Sequence, residues 1–511
     1  MNLKELSLAE LIEGLLAKLV ATEMIAKRDV IYYRNQCYQL LSLNPVIAQC
    51  VTNTDIAIVD IVTALYEQLS DEQRDRLGET RDIVEARIIN TFIAAPSYIE
   101  TKVKHLWDCA GSKVALDWYY QFSQDTNYIK TRDIARNESW LSHTNYGDLE
   151  ITINLSKPEK DPLEIARAKL APPTTNKYPT CLLCIENEGY AGSFNQPARA
   201  THRMLQLSLN NRDWFFQYSP YAYYTEHAII INHQHCDMII NADTFKTFFD
   251  FVDMIPHYMI GSNTDIPIVG GSILTHDHYQ AGNYVFPFEH ATIKASYMLS
   301  KFPQVELNYL KWPITTLQLI GGRAELQNCI MHLITHWYGY SNPDLGIYNY
   351  DSNGIRHNAI TPILRKVSAD KYIAYLMLRN NRTSAEYPEG IFHPHRHLHH
   401  IKKENIGLIE AMGLAILPGR LKGELLALSE LLLSNDLTIV KDKLSTNSEL
   451  QKHSEWLDYL FHKYPTFTES TVHEILRHEV GMKFVEVLEC AGVFKHTPAH
   501  DEALKQFIET I

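Results

Sequence analysis

The periodicity of the chain changes twice, and those two changes bound what it can fold into. From residue 1 to about 125, apolar residues recur at helical spacing. Leu3, Leu6, Leu8, Leu11 and Leu15 open the pattern, and Ile83, Val84, Ile88 and Ile89 continue it. Turn signals are few there, which predicts a helical N-terminal region over 1–125. Short β-branched and aromatic runs then take over: Leu149–Leu155, Trp214–Tyr218, His227–Asn232 and Tyr372–Arg379. Pro, Gly and Asn punctuate them, so they predict strands of a mainly antiparallel sheet within a mixed core, 126–400. Helical texture returns after Ile401, and 401–511 reads as mainly helical. Strands clustered between two helical regions predict an α+β fold.

At 511 residues the chain has ample apolar surface to bury, and 45% of it is hydrophobic. The formal net charge of −13 argues against a general nucleic-acid binder, whose affinity comes from cations neutralising phosphates. A small phosphorylated substrate needs only a few local cations and stays open. The opening segment, Met1–Val20, carries acidic residues inside its apolar run, unlike a signal peptide. No run reaches about 18 uncharged apolar residues, so no membrane span and a cytoplasmic location are expected. Of eight cysteines only Cys181 and Cys184 stand close together, which predicts free thiols plus one metal or redox pair.

The most informative stretch is Asp265–Asn283, which contains Gly270-Gly271-Ser272 and then His276-Asp-His278-Tyr-Gln280. If Ile273–Gln280 is a strand, alternation puts His276, His278 and Gln280 on one face. The glycines let backbone N–H groups approach an anion, and the Ser272 hydroxyl can donate as well. Such a set suits attack of a neutral imidazole on a phosphoryl group, making a phosphoramidate that a second phosphate displaces. Gln280 would then hydrogen-bond a non-bridging oxygen as charge develops. The bland alternatives are polar residues on a half-exposed strand, or a plain metal site.

Cys181-Leu-Leu-Cys184 has the spacing with which two thiolates grip one tetrahedral zinc. The acidic Ile185-Glu-Asn-Glu188 that follows does not favour a redox thiolate. A Cys2His2 site from Cys181, Cys184, His235 and His276 would staple separate segments near the nucleophile; reduced, metal-free cysteines are the alternative. Further on, His393-Pro-His395-Arg-His-Leu-His-His400 places five histidines in eight positions. They could hold a second metal or contact a phosphate. Lys402 and Lys403 could neutralise a sugar phosphate or simply begin a solvated helix.

Taken together these segments resemble the class II galactose-1-phosphate (UDP-glucose–hexose-1-phosphate) uridylyltransferases. Asp265–Gln280 is very similar to a motif of that family. So are Tyr146–Pro162, Cys181–Gly192, Gln217–Tyr221 and His399–Glu410, so the likeness runs in order from about 125 to 420. The resemblance implies a ping-pong transfer of UMP from UDP-glucose to galactose 1-phosphate, in galactose metabolism. It also implies a histidine-triad-like core whose middle histidine, His278, is the nucleophile, with His276 a ligand of a structural zinc. It places Lys157 and Lys160 at the nucleotide phosphates, Asn263 and Gln217 at uridine and phosphate contacts, and Lys402 or Lys403 near the hexose. A second metal would use His393 and His395. No organic cofactor is implied, and a homodimer is expected by analogy. Two departures from the class I pattern stand out: Asp277 replaces a proline, and Ser272 sits one residue further from the first histidine. Other readings are a histidine-triad-related phosphorylase or hydrolase, and a zinc-binding scaffold. Gln280, where hydrolases carry a third histidine, speaks against the hydrolase.

Overall fold

The computed structural model describes residues 3–46, 48, 56–156, 178–194, 196–271 and 273–511. They form two compact units, Met1–Ala135 with Lys157–His235, and Arg136–Ser156 with Cys236–Ile511.

The first unit is helical as far as Ile134. Its first long helix, Leu8–Ala21, starts at Ser7, whose hydroxyl accepts the Glu10 N–H while Glu10 accepts the Ser7 N–H at 2.8 Å. One stripe of that helix, Leu11, Ile12, Leu15, Leu16 and Leu19, is buried, as its periodicity predicts. Helix Ser112–Asp125 buries Tyr119, whose ring lies 5.2 Å from Tyr218 and 6.0 Å from Phe216. Those two belong to an antiparallel ladder of Leu205–Leu209, Arg212–Tyr218 and Ala228–Asn232.

The second unit holds two sheets. In the smaller, Glu138–Thr144 pairs antiparallel with Gly147–Asn154, which Leu414–Pro418 joins in parallel. The region after Ile401 thus contributes a strand as well as helices. The larger sheet of this unit orders its strands as His278–Gly282, Met259–Gly261, Asn358–Lys366, Tyr372–Asn380, Thr316–Gly321, Glu306–Leu310 and Ile293–Met298. All its neighbours are antiparallel. Helices on either side of antiparallel strands make the fold α+β, as the sequence predicts.

Helices Ala242–Met254 and Arg323–Gly339 cover one face of that sheet. Phe248 meets Tyr279 at 4.9 Å, and Phe249 meets Tyr372 at 5.0 Å. Strand alternation then turns His278 and Gln280 to the other face, with Gly261, Thr361 and Ile363. There Gly261 leaves room for Leu408, whose Cδ2 would stand 3.2 Å from a Cβ at that position.

One expectation is corrected. The strand does not run from Ile273; it starts at His278, after a turn at 274–275 and a bend at His276. The reason is hydrogen bonding outside any ladder: Leu274 O accepts the Met238 N–H and Asp277 N–H donates to Cys236 O, both at 2.8 Å. His276 therefore precedes the strand and is not aligned with His278 on it.

Candidate functional site

The turn before His278 is closed by its own side chains. The Thr264 hydroxyl reaches Ile266 O at 3.0 Å and Val269 O at 3.2 Å. Asp265 pairs with Arg356 at 2.7 Å and accepts the Ile240 N–H at 3.1 Å. Gly270 has φ of +112°, and a Cβ there would stand 2.9 Å from Ile406 O. At Gly271 a Cβ would come within 2.5 Å of Ile266 O. Only glycine fits either position, so the sequence pair reflects a close backbone approach.

His278 is 5% exposed. Its Nδ1 lies 2.8 Å from His276 O. A carbonyl can only accept, so Nδ1 carries the hydrogen and Nε2 keeps its lone pair. Burial holds the ring below its ordinary pKa, against the opposing pull of that carbonyl. The result is an uncharged imidazole with a nucleophilic Nε2. Gln280 follows on the same face, paired in register with Gly261. Asp277 accepts the Tyr279 hydroxyl at 3.3 Å.

The first unit gathers a different set of donors. Ligand atoms of Cys184, Glu186 and His235 all lie within 4.8 Å of one another. The Cys184 thiol hydrogen-bonds to Cys181, which pulls the Cys181 pKa down to about 6 and raises that of Cys184. Leu183 N–H also points at the Cys181 sulfur, at 3.5 Å. Thiolate, imidazole and carboxylate are donors that zinc takes, so these residues fit a structural ion. Glu186 is the member sequence reasoning missed; its place two residues after Cys184 was the available signal. His276, the remaining member of the expected set, belongs to the second unit, where it is fully buried and its carbonyl holds His278.

Gln217 is buried in the first unit. Its Oε1 lies 3.1 Å from His202 Nε2, and its Nε2 donates to Leu183 O at 2.7 Å, so it braces the cysteine loop. Asn263 accepts the Leu408 N–H at 2.8 Å and thereby anchors the segment before helix Leu408–Ala411. The two lysines part company. Lys402 is buried, paired with Glu410 at 3.0 Å and donating to Ile416 O at 3.0 Å. Burial works against its charge, but Glu410 and Glu404 together more than offset that and its pKa is raised. Lys403 is exposed. Lys157, Lys160 and Ser272 lie outside the described residues.

The histidine run does other work than the sequence suggests. His393 Nδ1 and Nε2 face Pro394 O and Asn405 Oδ1 at 3.1 and 3.0 Å, and His395 Nε2 faces Ile391 O at 3.1 Å. Among the described residues, neither belongs to a group of three or more ligands that could share an ion. His400 instead joins a buried chain: its Nδ1 lies 2.9 Å from His453 Nδ1, and His453 Nε2 lies 3.0 Å from Glu424. The carboxylate fixes Nε2 of His453 as donor, so its Nδ1 accepts from His400.

Comparison with known proteins places the chain among the transferases. The galactose-1-phosphate uridyl transferase N-terminal domain matches residues 23–237, and the C-terminal domain of the same family matches 251–457. Galactose-1-phosphate uridylyltransferases of Clostridium acetobutylicum, Fusobacterium nucleatum and Bacillus subtilis are 42%, 43% and 41% identical to it. These alignments cover 98%, 99% and 99% of this chain and 99%, 99% and 98% of those proteins. The chain belongs to the galactose-1-phosphate uridylyltransferase family.

Proposed function

We propose that this chain moves UMP from UDP-glucose to galactose 1-phosphate, with His278 carrying the uridylyl group between the two. The observation that carries the reading is the 2.8 Å bond from His278 Nδ1 to His276 O, which leaves Nε2 its lone pair. Nε2 attacks the α-phosphorus of UDP-glucose, the bond from that phosphorus to the bridging oxygen breaks, and glucose 1-phosphate leaves with the electron pair. A phosphate oxygen of galactose 1-phosphate then attacks the same phosphorus. The P–N bond breaks, its electrons return to the imidazole, and UDP-galactose departs.

Gln280 is proposed to donate to a non-bridging oxygen, and the Gly271 backbone to approach one closely. Ser272, Lys157 and Lys160 are assigned to the phosphates by family likeness. Lys403, exposed where Lys402 is buried, is the lysine proposed to meet the hexose phosphate. Asn263 and Gln217 are proposed to act through the segments they hold. By family likeness Cys181, Cys184, His235 and His276 would hold a structural zinc, with Glu186 as a further donor; the ion would tie their loops together and take no part in the transfer. The transfer as written needs no organic cofactor. By family likeness we also propose a cytoplasmic homodimer; sedimentation equilibrium checks the dimer, and a monomer at micromolar concentration removes it.

The test is retention of label. With UDP-glucose labelled in the uridylyl phosphate and no acceptor, wild-type protein should keep label and release it as UDP-galactose when galactose 1-phosphate is added. His278→Asn should keep none. Label retained by that variant would sink the assignment of His278, and no label on wild-type protein would sink the covalent route.

A further inference from the structure

Arg379 is 1% exposed, among the largest fully buried side chains of the molecule. It lies on the sheet face that carries His278, because it pairs in register with Ala359, two residues from Thr361. Its guanidinium donates to Ile406 O at 2.8 Å and reaches Thr361 Oγ1 at 3.5 Å, while its Nε has no acceptor. Among the described residues no carboxylate pairs with it. Glu410, the acid that acts on it through space, is bonded to Lys402 and to the Gly407 N–H. Burial lowers its pKa to about 10, so it stays charged at neutral pH.

A neutral amide would serve to hold one carbonyl. A buried, unpaired guanidinium is costly, and its presence calls for an anion to act on. The carbonyl it holds supplies the link: Ile406 O is the same atom that packs against Gly270. Thr361 lies two strands from the His278 strand, about 10 Å at ordinary strand spacing.

We propose that Arg379 is a positioning residue of the phosphate-binding turn, fixing Gly270 through the Ile406 carbonyl and setting behind it a positive charge that no directly bonded carboxylate neutralises. The inference rests on the uridylyl-transfer reading, since it takes a nucleoside diphosphate as the anion. A merely structural arginine would affect all ligands alike. A charge behind the phosphates affects only ligands that carry them.

Calorimetric titration of the full chain with UDP and with uridine separates the two. Wild-type protein should prefer UDP, and Arg379→Gln should reduce that preference about 10-fold, the effect of one charge at roughly 10 Å in a medium of dielectric about 20. Uridine affinity should change less than about 2-fold. Equal weakening of both ligands, or no change in either, overturns the proposal. A wild-type chain with no preference for UDP would instead overturn the uridylyl-transfer reading. If the glutamine variant does not fold, Arg379→Lys decides. A buried ammonium loses its proton far more readily than a guanidinium, so that variant's preference should fall between about pH 7 and 9 while wild type holds steady. A flat profile in the variant overturns the proposal.

Discussion

Two regions of the molecule gather reactive side chains, and they are finished to different degrees. Around His278 the chain closes its own hydrogen bonds: His276 O sets the tautomer, Thr264 closes the turn, and Arg356 holds Asp265. Around Cys184 the chain instead gathers thiol, carboxylate and imidazole groups whose ligand atoms converge within 4.8 Å. The Cys184 thiol lies 3.6 Å from a Glu186 oxygen and hydrogen-bonds to a Cys181 whose pKa it lowers, with His235 close by. The first region is held in one arrangement by the chain's own hydrogen bonds and packing. The second gathers two anions in waiting that a cation would join.

The largest effect should come from breaking the second region. A zinc ion present at about a thousand times its dissociation constant adds about 4 kcal/mol to the stability of the unit that binds it. Dialysis against a chelator should therefore lower the melting temperature of wild-type protein by about 10 °C. Cys184→Ser should start lower and not respond to chelator. An identical melting curve with and without chelator, in protein that carries no zinc by mass, removes the ion from this account.

The first region is best broken at Gly270. Alanine there must hold φ near +112° and push its methyl against Ile406 O. Such backbone strain costs about 1–3 kcal/mol, to which the steric contact adds. Gly270→Ala should thus lower the unfolding free energy, read from urea denaturation, by that amount and should weaken UDP binding as well. A variant as stable and as tight-binding as wild type would show that the turn tolerates a side chain.

How much of this was legible follows from how local each feature is. Gly270-Gly271 and the alternation of His278 with Gln280 are short-range, and the sequence alone shows them. The strand's start at His278 is not, because it is set by backbone bonds to Cys236 and Met238 some forty residues upstream in the chain. Lys402 and Lys403 are adjacent and chemically identical; Lys402 is the one that reaches Glu410 and the Ile416 carbonyl and is buried, while Lys403 is exposed. Glu186 reads in sequence as acidity that opposes a redox thiol, and it takes the fold of the loop to make it a donor. Arg379 hides inside an ordinary strand pattern. His400 meets His453 across 53 residues, beyond any motif.

That last pair gives the smallest effect and the finest test of the first kind of region. Burial, with the neighbouring His453, Lys483 and Arg420, holds His400 down to about 3; burial, opposed by Glu424, holds His453 to about 4. The hydrogen-bond chain adds its own reason, since a second proton on His453 would set one N–H against another. Both rings are neutral in the folded chain, whereas in the unfolded chain they take up protons below about pH 6.5. Above that pH the two states bind equal protons and the pair contributes no pH dependence. As pH falls below it the unfolded state binds more, and stability drops by about 1.4 kcal/mol per histidine for each pH unit, until the folded pKa values are reached. Between pH 7 and 5.5 the urea midpoint of wild-type protein should fall more steeply than that of a His400→Gln, His453→Gln double variant. The difference should correspond to about 1–3 kcal/mol. Parallel slopes would mean that this pair accepts a proton without loss of stability.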